Sequence, residues 1–196
     1  MKCKSNFLRA SFCVLFSQLL INSEGLAQQP TKPTTTEARR FKTAGGIVGF
    51  GNAFSDNTCY KIIFLAGDFS WSFNKPKKRD FVSLYFEPQI NPVKTENRWD
   101  IEFGANLGIR NYIKVNSGFY FYQMLGSGPH FISARLDRQA TGFIFSDNLF
   151  LGALARIRAN RFLNIQAGVR HISNANIKLP NRGVNSFNVR IGIVGS

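Results

Sequence analysis

The chain has 196 residues and a formal net charge of +14, and 20 of its residues are phenylalanine. This length suits one domain, and the two histidines and three cysteines show no spacing typical of a metal site. The basic surplus predicts an anionic partner such as a phospholipid or a lipopolysaccharide phosphate, and an export signal at the N-terminus argues against a nucleic acid.

Residues 1–27 have the features of a secretory signal peptide. Lys2, Lys4 and Arg9 precede an apolar run of about 12 residues, which is too short to cross a bilayer as a helix. Small residues then form a cleavage site, so the mature chain is expected to begin near Gln28. Removal of the signal takes away three basic residues and one acidic residue, which leaves a charge of about +12.

Residues 28–43 are polar and rich in proline and threonine, a composition that predicts a disordered tail. From residue 44 onward, apolar and polar residues alternate with a period of two, which indicates β-strands. We therefore predict a β-domain over residues 44–196. Its eight predicted strands span residues 45–54, 60–73, 80–89, 99–110, 114–124, 141–157, 162–172 and 186–194.

This alternation fits either a soluble sandwich or lipocalin-like barrel, or a membrane barrel with the apolar face turned outward. No segment has the length and composition of a transmembrane helix, so only a closed barrel could span a membrane. Strands of about 10 residues have the length that a tilted transmembrane strand needs. The aromatic residues near strand ends resemble interfacial girdles. These features favour an all-β, eight-stranded antiparallel transmembrane β-barrel of the outer membrane.

Alternation also predicts which side chains point outward and which point into the barrel. We expect the charged residues on the inner face to form a structural ion-pair network. His130 follows glycine and proline residues, and we expect it to lie in a solvated loop. The residues expected outside are Ile101, Phe103, Leu107, Leu163, Ile165 and Val169, and those expected inside are Glu102, Arg110, Arg170 and Arg190.

Three polar residues interrupt the outward-facing apolar pattern near one end of the barrel. His171 and Ser173 share the parity of Val169, so they lie on the lipid-facing side of the seventh predicted strand. If the seventh and eighth strands form a hairpin, Asn185 of the eighth strand lies beside His171. A nucleophile, a base and an orienting group form a serine hydrolase site, although such residues can also be simple rim or turn residues.

The segment RHISNANIKLPNRGVNS, residues 170–186, resembles the signature of the outer-membrane lipid A 3-O-deacylases, the PagL-like acyloxyacyl hydrolases. Its features are His-x-Ser-Asn, a Pro-Asn-x-Gly turn, and an acidic or amide residue before a serine. The segments YFEPQIN and EFGANLGIRNYI resemble the middle strands of that family, and the similarity spans residues 48–194. The resemblance implies an eight-stranded barrel that hydrolyses the ester-linked 3-hydroxyacyl chain at position 3 of lipid A.

The same resemblance implies a role for each polar residue of the segment. Ser173 would be the nucleophile and His171 its base, while Asn174 would help form the oxyanion hole. Asn185 matches the position of the family's acidic residue, so the triad would read Ser-His-Asn instead of Ser-His-Glu. Asn176 stands where a glycine is often found.

Lipid A, or the whole lipopolysaccharide, is the substrate that the resemblance implies, and no cofactor or metal is needed. Arg182 and the other basic residues could bind the phosphates of lipid A. Two alternatives remain at this point: a non-catalytic structural or lipid-binding barrel, and a lipid A acyltransferase that uses the same acyl-serine chemistry.

Overall fold

The computed structural model describes residues 41–54, 58–73 and 79–196. The signal peptide and most of the tail expected from the sequence lie outside these residues. The described chain forms a closed barrel of eight antiparallel strands, which confirms the fold class. The strands are β1 (Lys42–Ala53), β2 (Lys61–Ser72), β3 (Asp80–Lys94), β4 (Trp99–Asn116), β5 (Phe119–Ile132), β6 (Gly142–Arg158), β7 (Arg161–Ser173) and β8 (Val184–Gly195).

Each strand pairs with the next one along the chain, and β1 pairs with β8 to close the barrel. The connections after β1, β3, β5 and β7 lie at one end of the barrel, which we call the loop end. The connections after β2, β4 and β6 lie at the other end, which we call the turn end. No helix in the described ranges is long and apolar enough to cross a membrane.

Alternation sorts the side chains to the two faces as predicted. Arg110, Arg170 and Arg190 are at most 1% exposed and point into the barrel. Apolar residues cover the outside, and Leu107 and Ile165 are 53% and 46% exposed. A barrel with charges inside and an apolar band outside is suited to a lipid bilayer, where apolar side chains face the acyl chains.

A buried ion-pair network occupies the interior near the loop end. The Glu102 carboxylate accepts hydrogen bonds from Arg170, and the Nδ1 atom of His130 lies 3.0 Å from it. The Tyr60 hydroxyl donates to the same carboxylate at 3.0 Å and accepts from the Arg170 guanidinium at 2.7 Å. Burial raises the pKa of the Tyr60 phenol, so this hydroxyl keeps its proton and remains a donor.

Two further ion pairs and two apolar clusters fill the rest of the interior. Arg110 pairs with Asp68 at 3.0 Å, and Arg190 pairs with Glu87 at 2.6 Å. The apolar cluster at the loop end includes Ile62, Phe64, Ile132, Ile144 and Ile172, and the cluster at the turn end includes Phe81, Tyr112, Tyr120, Phe150 and Phe162. The interior is therefore a packed core, as expected for a barrel of only eight strands.

Several strand boundaries differ from the prediction. β1 begins at Lys42, and the Phe41 ring packs 5.2 Å from the ring of Phe81 at the turn end, so residues 41–43 belong to the barrel. The predicted fifth strand began at residue 114, but residues 114–116 belong to β4. Gly118 forms the turn instead, and its backbone N–H donates to the Asn116 side chain at 2.8 Å.

The expectation that His130 is a solvated loop residue is wrong. β5 continues through His130 to Ile132, and the imidazole is 2% exposed inside the barrel. The glycine and proline residues before it suggested a loop, but strand pairing with β6 continues across them. The side chains within hydrogen-bond distance of the two ring nitrogens of His130 are those of Glu102 and Asn106, both on β4.

The buried Glu102 network predicts a stability effect. Glu102→Gln removes the negative charge that balances Arg170, and breaking a buried ion pair costs about 3–5 kcal/mol because one charge is left without its partner. Urea unfolding in lipid vesicles should show this loss. Asp80→Asn, at an exposed position at the turn end, should leave the unfolding curve within about 0.5 kcal/mol of wild type. Equal unfolding curves for both variants would contradict a stabilising role for the ion pair between Glu102 and Arg170.

Candidate active site

His171 and Asn185 form the centre of the candidate site. They are directly opposite residues of β7 and β8, and both side chains lie on the outer face. The Nδ1 atom of His171 lies 2.6 Å from the Asn185 Oδ1 atom. An amide oxygen only accepts hydrogen bonds, so in this orientation Nδ1 carries the proton and Nε2 keeps a free lone pair. That tautomer is the one a general base needs.

Gly183 leaves the space in which the imidazole of His171 lies. This glycine has a φ of +66°, and a Cβ atom built on it would collide with the Cε1 atom of the ring and lie 2.9 Å from Nε2. The loop backbone therefore lies close to the Cε1 and Nε2 atoms of the ring. Both the space and the left-handed conformation require glycine here.

Ser173 lies at the end of β7, on the same face as His171 and opposite Phe145 of β6. Its side chain is half-buried. Within the part of the chain that the structure describes, the Ser173 hydroxyl makes no hydrogen bond to the imidazole. Hydrogen bonds between catalytic groups are often long before substrate binds, and the shared face keeps the two side chains adjacent.

Asn174 is buried and its nitrogen atoms are directed into its own loop. The side-chain Nδ2 atom donates to the Lys178 carbonyl at 2.6 Å, and the backbone N–H donates to the Asn181 Oδ1 atom at 2.9 Å. The structure thus gives Asn174 a part in ordering the loop beside Ser173. Its role in an oxyanion hole stays a prediction.

The loop after Asn174 has two left-handed residues that are not glycine. Ala175 and Asn176 have φ values of 51° and 62°. Asparagine adopts this conformation more readily than other non-glycine residues, which gives a physical reason for asparagine at a position where a glycine is often found. The Asn176 Oδ1 atom also accepts a hydrogen bond from Asn181 at 3.0 Å.

Arg182 lies in the same loop, with its side chain exposed beside the candidate site. Its backbone N–H donates to the Arg138 carbonyl at 2.8 Å, which joins this loop to the loop between β5 and β6. Arg135 and Lys178 line a cleft of about 620 Å³ between the same two loops. The two joined loops therefore carry four exposed basic side chains: Arg135, Arg138, Lys178 and Arg182.

No group of three or more metal-ligating side chains comes together among the described residues.

The family model for lipid A 3-O-deacylase (PagL) matches residues 65–194, well over half of the chain. The chain belongs to the lipid A 3-O-deacylase (PagL) family. A comparison with the curated proteins finds no match. The family confirms the deacylase function expected from the segment at residues 170–186, and it agrees with the barrel in giving this lipid A 3-O-deacylase an outer-membrane location.

Among solved structures, the crystal structure of the outer membrane enzyme PagL is similar to this barrel with a TM-score of 0.59 and 17% identity. That match covers 76% of this deacylase and 97% of the PagL chain. A de novo designed transmembrane β-barrel matches with a TM-score of 0.39 and 17% identity, covering 79% and 92% of the two chains. The Ail protein of Yersinia pestis matches with a TM-score of 0.44 and 12% identity, covering 79% and 95%.

The contact between Gly183 and His171 predicts a functional effect of a small substitution. Gly183→Ala should displace the imidazole and lower the rate of lipid A deacylation by at least about tenfold, because small errors in catalytic geometry are costly. Gly142→Ala is the matched control, since Gly142 also has a positive φ but a Cβ there meets nothing within 4 Å. An equal loss in both variants would show that backbone strain, and not the ring contact, is responsible.

Proposed function

We propose that this lipid A 3-O-deacylase uses Ser173 as nucleophile, His171 as general base and Asn185 as the group that orients the base. The observation that carries the proposal is the 2.6 Å contact between His171 Nδ1 and Asn185 Oδ1. It leaves Nε2 free for a proton on the face that also carries Ser173.

The reaction proceeds in two steps. Ser173 Oγ attacks the carbonyl carbon of the ester at position 3 while its proton passes to His171 Nε2. The imidazolium then gives this proton to the departing sugar oxygen, which leaves an acyl-serine. Water, deprotonated by His171, attacks the acyl-serine and releases the 3-hydroxy fatty acid and free Ser173.

The position of the site fits a substrate that is itself a membrane lipid. Polar side chains on a lipid-facing surface are costly, but a lipid ester can reach them without leaving the bilayer. His171 and Ser173 lie at the loop end of β7, where the headgroup and acyl regions would meet. Ile177 and Leu179 are exposed in the adjoining loop and could contact the acyl chains.

The basic loops suggest how the headgroup would bind. Arg182 is exposed beside Gly183, and Arg135, Arg138 and Lys178 extend the positive surface. Guanidinium groups bind phosphate well because they donate two parallel hydrogen bonds. We infer that Arg182 binds a phosphate of lipid A, and that Asn174 contributes to oxyanion stabilisation through the one amide hydrogen that Lys178 does not take.

The nucleophile is tested by variants of Ser173. Ser173→Ala should lower deacylation by about a thousandfold or more, because a nucleophile works as a unit with its base. His171→Asn should behave alike, and the double variant should be little slower than either single one. Ser117→Ala, in an exposed turn at the opposite end, is the control. Heat-modifiable gel mobility would report equal amounts of folded barrel.

Mass spectrometry of lipid A provides the readout and also tests the alternatives. Loss of one hydroxyacyl mass together with free 3-hydroxy fatty acid indicates hydrolysis. Gain of an acyl mass would indicate an acyltransferase, and no change would indicate a non-catalytic barrel. Full activity of Ser173→Ala at equal folded abundance would refute the proposed nucleophile.

The orienting role is tested at Asn185. Asn185→Glu should retain or raise the rate, because a carboxylate also accepts the Nδ1 proton and stabilises the imidazolium. Asn185→Leu removes the acceptor for the Nδ1 proton. The imidazole can then carry its proton on Nε2, where it cannot act as the base, so the rate should fall by at least about tenfold. Initial rates with purified lipid A report both effects. If both variants match wild type, Asn185 has no part in the site.

A further inference from the structure

A row of four polar side chains crosses the outer face of the barrel at the level of His171. In the strand register, Ser127 of β5 lies opposite Asp147 of β6, Asp147 lies opposite His171 of β7, and His171 lies opposite Asn185 of β8. All four share the outward parity of their strands. His171 therefore has Asn185 on one side and a carboxylate on the other.

The neighbours of Asp147 along β6 show that it faces outward among apolar side chains. Phe145 and Leu149 have the same parity, and Leu149 is 41% exposed. The Ser127 hydroxyl donates to the Asp147 Oδ1 atom at 2.6 Å, which fixes the carboxylate in the row. The salt bridges formed by the described residues do not include Asp147. A charge on a lipid-facing surface is destabilising, and ionisable residues at membrane depth are functional candidates.

Asn185 can hold the imidazole in place but carries no charge. The step that protonates His171 creates a positive charge on the lipid-facing surface, where water offers less stabilisation than in bulk. Directly opposite residues of an antiparallel pair have Cβ atoms about 4.5–5.5 Å apart. A carboxylate at Asp147 is therefore close enough to stabilise the imidazolium through space, without replacing the hydrogen bond from Nδ1 to Asn185.

We propose that Asp147 supplies the negative charge for His171, so that the two functions of an acidic triad member are divided between Asn185 and Asp147. Asn185 accepts the Nδ1 proton and orients the ring. Asp147 is a positioning residue that acts through His171. The proposal rests on the function proposed above.

Asp147→Asn tests the charge with little change in shape. An opposite charge within about 4–6 Å favours the charged form of a group by about tenfold or more, so kcat should fall about tenfold. The KM should stay unchanged, since the interaction exists only while the imidazole is protonated. The measurement is steady-state hydrolysis of purified lipid A in detergent micelles by the full-length mature protein. Asp80→Asn, an acidic residue at the opposite end, should retain the wild-type kcat.

Rescue separates an electrostatic role from a structural one. Asn185→Glu brings a carboxylate to the other side of His171, so it should restore most of the lost kcat in the Asp147→Asn background. Asp147→Glu keeps the charge and should keep most of the rate, which provides a second test if the amide variant folds poorly. A purely structural role for Asp147 predicts no rescue by Asn185→Glu.

The outcomes are distinct from those of the nucleophile test. If Ser173→Ala is inactive while Asp147→Asn has the wild-type kcat, the inference about Asp147 is wrong and the proposed nucleophile stands. A loss in Asp147→Asn that appears only in KM, or that Asn185→Glu does not restore, also overturns it. If Ser173→Ala is fully active, the proposed function fails and this inference fails with it.

Discussion

The closed ladder of backbone hydrogen bonds is the constraint on which the rest of this molecule depends. With β1 paired to β8, each strand has a neighbour on both sides, and a barrel without an edge can lie in lipid. Each side chain then has only two directions, and a slip of one residue would exchange the two faces. Such a slip would bring Arg170 into lipid and His171 into the core.

The same constraint explains why the candidate site can be polar on an apolar surface. Consecutive residues of β7 serve opposite functions: Arg170 joins the buried network with Glu102, and His171 faces the membrane. The ion pair between Arg170 and Glu102 joins β7 to β4 across the interior behind the site. The two bridged loops, which contact each other at Gln139 and Asn181, order the mouth of the site. Together these contacts support the candidate polar groups at the loop end of β7.

Period-two alternation was enough to predict the number of strands, the inner and outer faces, and the return of β8 that places Asn185 beside His171. It could not set the strand ends, because glycine, proline and short polar segments look alike in loops and in paired strands. His130 was misplaced for this reason. The partner of His171 on β6 was also missed: β6 and β7 are joined by a two-residue turn, but an irregularity between Arg156 and Arg158 shifts their register, and the sequence pattern does not reveal that shift. A search for polar residues on every outward parity would have found Asp147.

In the proposed mechanism, His171 activates Ser173 on the outside of the barrel. The most direct test of this mechanism is treatment of the folded protein with a fluorophosphonate, whose phosphorus atom is attacked by an activated serine oxygen with loss of fluoride. Peptide mass spectrometry should find one adduct, on Ser173, and His171→Asn should abolish it while the barrel remains folded. Labelling of another serine, or equal labelling of Ser173 without the imidazole, would contradict the account.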